Sequence, residues 1–589
     1  MITRYFQILL AGLLTVALAM GCSNDKKDEV SGKKASGPVK YGGVFRMNEP
    51  EDFRTLYPLD IVDLVSHHIG SQVYEGLVKF NQKDLSIMPA LASSWESPDG
   101  ATRFVFHLRQ DVYFHDDPCF EGGKGRLVKA SDIKFCFDRL CSADKSNQQF
   151  MNTFKDRVDG ANECYGTADT ASAGVSGVTM VNDSTIEIKL KHPMPTFLNV
   201  LATQGCWIYP KEAVKKYGEN MRTKCVGTGP FRLKSIREGE SVLLERNPNY
   251  WMVDEWQNRL PYLDNVQFRF IKDKSSEILT FNNKELEMIF RLPVEMYKDI
   301  LGELEKAKEK PATFTYQSNP AMSLTYYGFQ NQLKPFDNPK VRLAFNYAID
   351  REKITERILA GDASPAIYGV VPPSLPGYNS KMIRGFTYDP AKAQKLLAEA
   401  GYPGGKGFPE ITLQINSGGG DRNAMTAESV INQLKSNLGI NIRLDVMPFA
   451  QHLQTIETGK ALFWRTGWNA DYPDPETFMS ILYGANIPAS MSERSSLNSV
   501  RYSNPKFDSI FEAASHEPDL AKRTALFMRA DQLAMDDGAI MPIYYEVNDR
   551  LLQLYVRNFD INPMEFRDMT GVWLDMESAP SGTADSVAN

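Results

Sequence analysis

The twelve residues Gly467–Phe478 constrain the fold more than any other stretch, because they combine aromatic side chains, three carboxylates and two prolines. Pro473 and Pro475 fix φ, so we expect neither a strand nor a helix to run through this segment. The preceding residues, Ala461 to Arg465, have the composition of a strand. The sequence therefore predicts a stiff acidic turn at the end of a strand.

This strand and turn also provide the first candidate site. Arg465, Trp468 and Asp471 place a cation, an indole ring and an anion within seven residues. A carboxylate beside an aromatic wall can hold an ammonium group, because an apolar wall strengthens a charge-assisted hydrogen bond. The alternative is a surface turn with solvated acids and a tryptophan that fills the core. These residues alone leave both interpretations open.

The rest of the chain indicates a multidomain protein of mixed helix and strand. Its 589 residues exceed what one hydrophobic core holds, so we expect two to four domains. A strand at Ile411 to Ile415, a helix from Ala424 to Asn437 and a strand at Ile440 to Val446 form one β–α–β unit. Such a unit predicts parallel pairing of its two strands.

The N-terminus is typical of an exported lipoprotein. A short basic region and an apolar segment precede Gly21-Cys22, which predicts a signal peptide over residues 1–21. The sequence Ala19-Met20-Gly21-Cys22 resembles a bacterial lipobox, which implies that Cys22 is lipidated. Residues 22–40 are polar, so we expect them to form a flexible tether to the membrane.

The other six cysteines all fall between residues 119 and 225: Cys119, Cys136, Cys141, Cys164, Cys206 and Cys225. An even number in an exported chain predicts disulfides, and Cys206–Cys225 is the favoured pair. A metal site is the weaker alternative, because no Cys-x-x-Cys pair is present and no histidine lies at ligand spacing.

Several functional classes are disfavoured by composition and motif. A net charge of −7 over this length does not indicate the basic surface that binds nucleic acid. The glycine-rich loop at 122–125 lacks the Walker spacing, so no nucleotide is expected, and we predict neither a cofactor nor a metal. An enzyme using Asp471, Asp474 and Glu476 as acid and base is also disfavoured, because no nucleophile motif accompanies them. We therefore expect a protein that is not an enzyme.

Four segments resemble one known family in both sequence and order: Val226 to Phe231, Val341 to Ile354, Tyr388 to Tyr402, and Gly467 to Phe478. They are similar to the extracytoplasmic solute-binding proteins of peptide- and nickel-type ABC importers, family 5, and most similar to the oligopeptide-binding branch. The resemblance implies an α/β, two-lobed periplasmic-binding-protein fold of type II, cluster C, with an extra domain in the first lobe and a hinge between the lobes.

The same resemblance implies a domain plan. The first lobe is expected to comprise residues 41–85, 226–321 and 546–578, and its extra domain residues 86–225. The second lobe is expected over residues 322–545, and residues 579–589 are expected to be a disordered tail.

The resemblance also implies roles for seven residues. Asp471 is expected to pair with the α-ammonium of a peptide, Trp468 to form the wall of a side-chain pocket, and Arg465 to bind the peptide carboxylate. An aromatic position of the family falls on Phe449. The expected ligand-binding set is completed by Asn469, Ala470 and Tyr544.

The implied function is capture of oligopeptides between two closing lobes and delivery to the permease of an ABC transporter. Alternatives within the same fold are a nickel complex, glutathione or an opine as ligand, or a surface receptor that senses its ligand. We expect a monomer in the cell envelope that is held to the membrane by its N-terminal lipid and binds no nucleic acid.

Overall fold

The structure, a computed structural model, describes residues 34–166, 174–292, 302, 313–417 and 421–578. The predicted signal peptide, Cys22 and the predicted tail 579–589 lie outside these residues. The strands are β1 Val44–Asn48, β2 Val78–Phe80, β3 Ile87–Pro89, β4 Ala92–Glu96, β5 Arg103–Leu108, β6 Val178–Asn182, β7 Thr185–Lys189, β8 Phe231–Arg237, β9 Ser241–Arg246, β10 Asn265–Arg269, β11 Met288–Phe290, β12 Phe314–Phe329, β13 Ala363–Pro365, β14 Ile411–Asn416, β15 Ile442–Met447, β16 Phe463–Asn469, β17 Ile540–Gln553, β18 Val556–Arg557 and β19 Trp573–Leu574.

The α-helices of the described residues are Leu64–Val73, Ala130–Leu140, Ala161–Gly166, Phe197–Leu201, Lys211–Tyr217, Lys274–Asn282, Pro339–Tyr347, Arg351–Lys353, Pro390–Glu399, Arg422–Leu438, Phe449–Glu457, Pro475–Met479, Pro505–His516 and Leu520–Asp536. A π-helical turn, Ile354–Ile358, continues the short helix before it.

Two long antiparallel strands, β12 and β17, connect the two lobes. One large mixed sheet has the order β15-β14-β16-β12-β17-β11-β1-β10-β9-β8, and β13 also pairs with β17. We name the part that contains β1 to β11 the first lobe, and residues 330–539 with the adjoining ends of β12 and β17 the second lobe. The pairing of β12 with β17 shifts register between Pro320 and Leu324. Both strands therefore cross from lobe to lobe near an interruption of their regular pairing. A hinge between the lobes requires backbone freedom at such a point.

The predicted β–α–β unit is confirmed in the second lobe. Strands β14 and β15 pair in parallel, with Ile411 opposite Ile442 and Asn416 opposite Met447. The intervening helix Arg422–Leu438 ends at Gly439, whose φ of 70° is a left-handed conformation that favours glycine. Strand β16 continues this sheet and carries the predicted site.

A four-stranded antiparallel sheet, β4-β5-β7-β6, forms a separate layer in the first lobe. The helix Ala130–Leu140 packs on this sheet with Ile133, Phe137 and Leu140 buried. The predicted domain boundaries at 85/86 and 225/226 enclose this sheet, and those at 321/322 and 545/546 fall inside β12 and β17. The last residues of the predicted tether contact the first lobe, because the Lys40 ammonium pairs with Asp575 at 2.6 Å.

The disulfide prediction is wrong for the pair Cys206–Cys225, because both are free thiols, as are Cys119, Cys136 and Cys141. All of these except Cys119 are buried. A buried cysteine packs as a small apolar side chain, so these thiols contribute to the core without a covalent bond. Cys136 also donates a hydrogen bond from its Sγ to the carbonyl of Tyr209.

The prediction for the acidic turn needs one correction. The chain does turn after Asn469, but a short helix begins at Pro475 and ends at Met479. Asp474 caps this helix, because its side chain accepts a hydrogen bond from the Glu476 N–H. Proline is tolerated at the first helical position, where its missing N–H has no helical partner to lose.

Candidate functional site

A cavity of about 960 Å³ lies between the two lobes. The first lobe lines it with parts of segments 48–80, 202–204 and 272–292, and the second lobe with parts of 416–423, 449–471 and 496–499. The cavity is therefore built jointly by elements that are far apart in sequence. Strand β16 and the turn after it form part of its wall.

Six of the seven predicted ligand-binding residues line this cavity: Phe449, Arg465, Trp468, Asn469, Ala470 and Asp471. The seventh, Tyr544, does not line it, and its side chain is fully buried in the core of the second lobe. On β17 the Tyr544 ring lies in a buried apolar cluster that also contains Met541 and Ile543. Tyr544 nevertheless supports the wall, because the Arg422 guanidinium lies 5.1 Å from the centre of its ring and Arg422 lines the cavity.

Asp471 is a carboxylate with neutral partners. Its Oδ2 accepts a hydrogen bond from Asn152 Nδ2 at 2.8 Å and from Thr477 Oγ1 at 3.4 Å, and the Gln204 side chain is a further donor. Burial raises the pKa of Asp471 to about 6, against the opposing effect of these hydrogen bonds. A carboxylate that is desolvated without a neighbouring cation favours a positively charged ligand.

Three glutamates on the cavity wall differ in this respect. Glu49 pairs with Arg567 at 2.6 Å, and Glu457 pairs with Arg494 at 2.9 Å. Although burial opposes the change, Arg291, Arg422 and Arg465 lower the pKa of Glu546 to about 2. These three glutamates are already neutralised by arginines, whereas no ion pair within the described ranges reaches Asp471.

The carboxylates of the acidic turn therefore have two different roles: Asp471 faces the cavity, whereas Asp474 and Glu476 belong to a buried structural cluster. Asp474 and Glu476 are buried, and both pair with the buried Arg523. Glu476 also pairs with Arg157 of the first lobe at 2.6 Å. Neither carboxylate lines the cavity with Asp471, so the structure does not bring the three together as an acid and base set.

Arg465 lies on the same wall as a cation whose nearest partners are weak. Its guanidinium donates to Asn416 Oδ1 at 3.3 Å and to Thr325 Oγ1 at 3.5 Å, both neutral oxygens. Asp471 comes six positions after Arg465, so their Cα atoms are at most about 20 Å apart. A cation on β16 and an anion in the turn after it thus lie on the same cavity wall, as the two ends of a zwitterionic ligand would require.

The backbone of β16 has an open edge between these two side chains. On one side β16 pairs with β12 from Phe463 to Asn469. On the other side it pairs with β14 only at Phe463 and Trp464, and His452 Nε2 bonds to the carbonyl of Arg465 at 2.9 Å. Among the described strands, none pairs with this edge from Thr466 to Asn469, so its peptide groups can accept an added strand.

Thr477 fixes the geometry of the site and was not found from the sequence. Its Oγ1 accepts from Trp468 Nε1 at 3.3 Å and from the Asp471 N–H at 3.2 Å, and it contacts Asp471 Oδ2. The helix Pro475–Met479 holds Thr477 in place. Asn152 and Gln204 were also missed, because they lie more than 250 residues before Asp471 and carry no local signal.

The lobes are closed over the cavity. Asn152 and Arg157 of the first lobe contact Asp471 and Glu476 of the second. In the part of the chain that the structure describes, no group of three or more His, Cys, Asp or Glu side chains is arranged to hold a metal ion. No helix in the same ranges is long and apolar enough to cross a membrane.

Comparison with known proteins places the chain among transport proteins. The family model "Bacterial extracellular solute-binding proteins, family 5 Middle" matches residues 86–489. The periplasmic oligopeptide-binding protein OppA of Escherichia coli is 28% identical over 87% of this chain and 89% of its own length. The glutathione-binding protein GsiB of Salmonella typhi is also 28% identical, over 89% of this chain and 90% of its own length.

Solved structures agree with this assignment. The oligopeptide-binding protein OppAIV of Borrelia burgdorferi matches with a TM-score of 0.78 and 28% identity, over 90% of this chain and 99% of its own. DppA of Helicobacter pylori, solved with the peptide STSA, matches with a TM-score of 0.77 and 25% identity, over 91% and 99% of the two chains. The two-lobed fold expected from the sequence is thereby confirmed.

Proposed function

The chain belongs to the bacterial extracellular solute-binding proteins of family 5, and we propose that it captures short peptides between its two lobes through their free α-ammonium group. The observation that carries this proposal is Asp471, a partly buried and desolvated carboxylate on the cavity wall with only neutral hydrogen-bond partners. A buried carboxylate is costly unless a cation neutralises it, so the closed cavity favours a solute with a positive group.

The wall beside Asp471 supports a peptide rather than a simple amine. The open edge of β16 offers backbone hydrogen bonds from Thr466 to Asn469 to a ligand that lies as an added strand. Such bonds do not depend on the ligand's side chains, so affinity would tolerate many sequences. Arg465 would bind the carboxylate of a peptide of a few residues, and Trp468 and Phe449 would contact its side chains.

The proposed physiological role is delivery of the captured peptide to an ABC transporter permease. The protein would act as a monomer in the cell envelope, exported by the signal peptide 1–21 and anchored through a lipid on Cys22. Residues 86–225 would form the extra domain of the first lobe, and β12 and β17 the hinge. Closure follows ligand binding, because only the closed state offers contacts from both lobes.

A second candidate ligand is glutathione, because GsiB is as similar to this chain as OppA is. Glutathione also carries a free α-ammonium group, so it would satisfy Asp471. Its branched shape offers β16 fewer regular backbone bonds than a linear peptide does, and we therefore favour the peptide.

Calorimetry with a matched set of ligands tests the proposal. We expect a tripeptide to bind, the same tripeptide with an acetylated N-terminus to bind at least about 30-fold more weakly through loss of the charge pair, and glutathione to bind less tightly than the tripeptide. Equal affinity for the free and acetylated peptides would contradict the role of Asp471. If glutathione binds more tightly than the tripeptide, glutathione becomes the proposed solute in place of the peptide.

A further inference from the structure

A second cavity of about 580 Å³ lies between the lobes, separate from the proposed peptide site. The first lobe lines it with Met151 to Arg157 and Lys191 to Met194. The second lobe lines it with residues of segments 476–486 and 511–516. Because its walls come from both lobes, this cavity is complete only when the lobes are closed.

Two histidines meet across this cavity from opposite lobes. His192 follows β7 of the first lobe, and His516 is the last residue of the helix Pro505–His516 in the second. The centres of their imidazole rings lie 3.9 Å apart with a tilt of 38°. Both side chains are exposed to solvent, so each ring is free to turn about its side-chain bonds.

Each ring of this pair can offer one nitrogen to a ligand. No hydrogen bond to a nitrogen of His192 or His516 is present within residues 34–166, 174–292, 302, 313–417 and 421–578. A neutral imidazole presents one nitrogen lone pair, which is the commonest protein ligand for a transition metal ion. Two such rings, with their centres 3.9 Å apart, can provide two ligands to one ion once they turn about their side-chain bonds.

Glu512 can supply a third ligand. It lies four residues before His516 in the same helix, so the two side chains project from the same face. Glu512 now accepts a hydrogen bond from the Tyr483 hydroxyl at 2.8 Å, but it is exposed and can turn toward His516. The nearby cations are already engaged: Lys155 donates to the carbonyl of Ala485, and Arg157 pairs with Glu476.

We propose that His192 and His516, with Glu512 as an additional ligand, bind a divalent transition metal ion of the zinc and copper type between the closed lobes. In the side-chain positions of this structure only the two imidazoles adjoin, and water would complete the coordination. A metal held by residues of both lobes stabilises the closed form by linkage, so metal binding and solute binding strengthen each other.

Calorimetric titration of tag-free protein with Zn²⁺ tests this site. We expect one ion per chain, and each of the variants His192→Ala and His516→Ala to bind it at least about tenfold more weakly. The double variant is expected to bind the ion more weakly than either single variant, because no imidazole ligand then remains at the site. His107→Ala is the matched control, since His107 is exposed and lies near a carboxylate, Glu96, elsewhere on the first lobe.

Electron paramagnetic resonance of bound Cu²⁺ gives an independent readout. The wild type is expected to show coupling to two imidazole nitrogens and each single variant coupling to one. Asp471→Asn is expected to retain the metal, which separates this proposal from the proposed peptide site. Absence of stoichiometric Zn²⁺ binding, or the same affinity in the double variant as in the wild type, would overturn the proposal.

Discussion

Replacing Asp471 with asparagine keeps the shape of the side chain and removes its charge. In the closed protein without solute, burial raises the pKa of Asp471 from 3.8 to about 6. At neutral pH that rise in the pKa corresponds to a cost of about 3 kcal/mol for holding the charge in the closed site without a ligand cation. A ligand ammonium removes that cost and adds a charge-assisted hydrogen bond.

The variant Asp471→Asn is therefore expected to bind a tripeptide about 2–5 kcal/mol more weakly, which is about 30-fold to several thousand-fold. Isothermal titration calorimetry at pH 7.5 measures this loss. Asp421→Asn is the matched control, because it removes the same charge from an exposed position on the same cavity wall. We expect the control to change the affinity by less than about 1 kcal/mol.

The acetylated tripeptide completes a double-mutant cycle for this prediction. If Asp471 contacts the ammonium, the preference for the free peptide over the acetylated one disappears in Asp471→Asn. Two results would refute the reasoning: an affinity in the variant within twofold of the wild type, or a loss of the same size for both peptides.

Three further predictions concern closure and stability. The pKa of Asp471 is higher in the closed state without ligand than in an exposed carboxyl, so the closed state takes up a proton as the pH falls. Small-angle scattering of the protein without ligand should therefore show the ratio of closed to open molecules rising about tenfold from pH 7 to pH 5. The variant Asp471→Asn should not show this rise. Arg157→Ala breaks the ion pair with Glu476 between the lobes, so it should weaken peptide binding by about 1.5–3 kcal/mol in calorimetry. Arg523→Ala leaves the buried Asp474 without its cation, and denaturant unfolding should show about 3–5 kcal/mol less stability.

The last of these variants has a matched control on the same helix. Lys522 is exposed and adjoins Arg523, so Lys522→Ala should change the free energy of unfolding by less than about 0.5 kcal/mol. Equal stability of Arg523→Ala and Lys522→Ala would show that the buried cluster contributes nothing. A pH-independent closed fraction would likewise contradict the environment assigned to Asp471.

Local patterns predicted much of the architecture. The parallel pair β14 and β15 followed from hydrophobic runs separated by a helix, and Asp389 does cap the helix Pro390–Glu399 as its spacing indicates. The same signal, a capping side chain before proline, is present at Asp474-Pro475. There the two prolines were interpreted only as breakers, although the first helical position tolerates proline.

Contacts between distant residues were not predictable in the same way. Asn152 lies 319 residues from Asp471, and His192 lies 324 residues from His516. Such pairs depend on how the lobes close, which no local pattern encodes. The resembling segment predicts Tyr544 as a ligand contact, but its ring is fully buried in the core of the second lobe.

The cysteines show a different limit. Exported proteins often contain disulfides, so the predicted export favours them here. A disulfide between two particular cysteines, however, requires suitable distances and directions between their backbones, and the spacing of cysteines along the sequence does not provide these. The structure has Cys206 and Cys225 as buried thiols instead.

A crystal structure of the protein with a bound tripeptide is the most direct test of the central claim. We expect the terminal nitrogen of the peptide at about 2.7–2.9 Å from a carboxylate oxygen of Asp471, as in other charge-assisted hydrogen bonds. The peptide backbone is expected to run along β16 from Thr466 to Asn469. A peptide whose terminal nitrogen is solvated away from Asp471, or bound to another carboxylate of the cavity, would contradict the account.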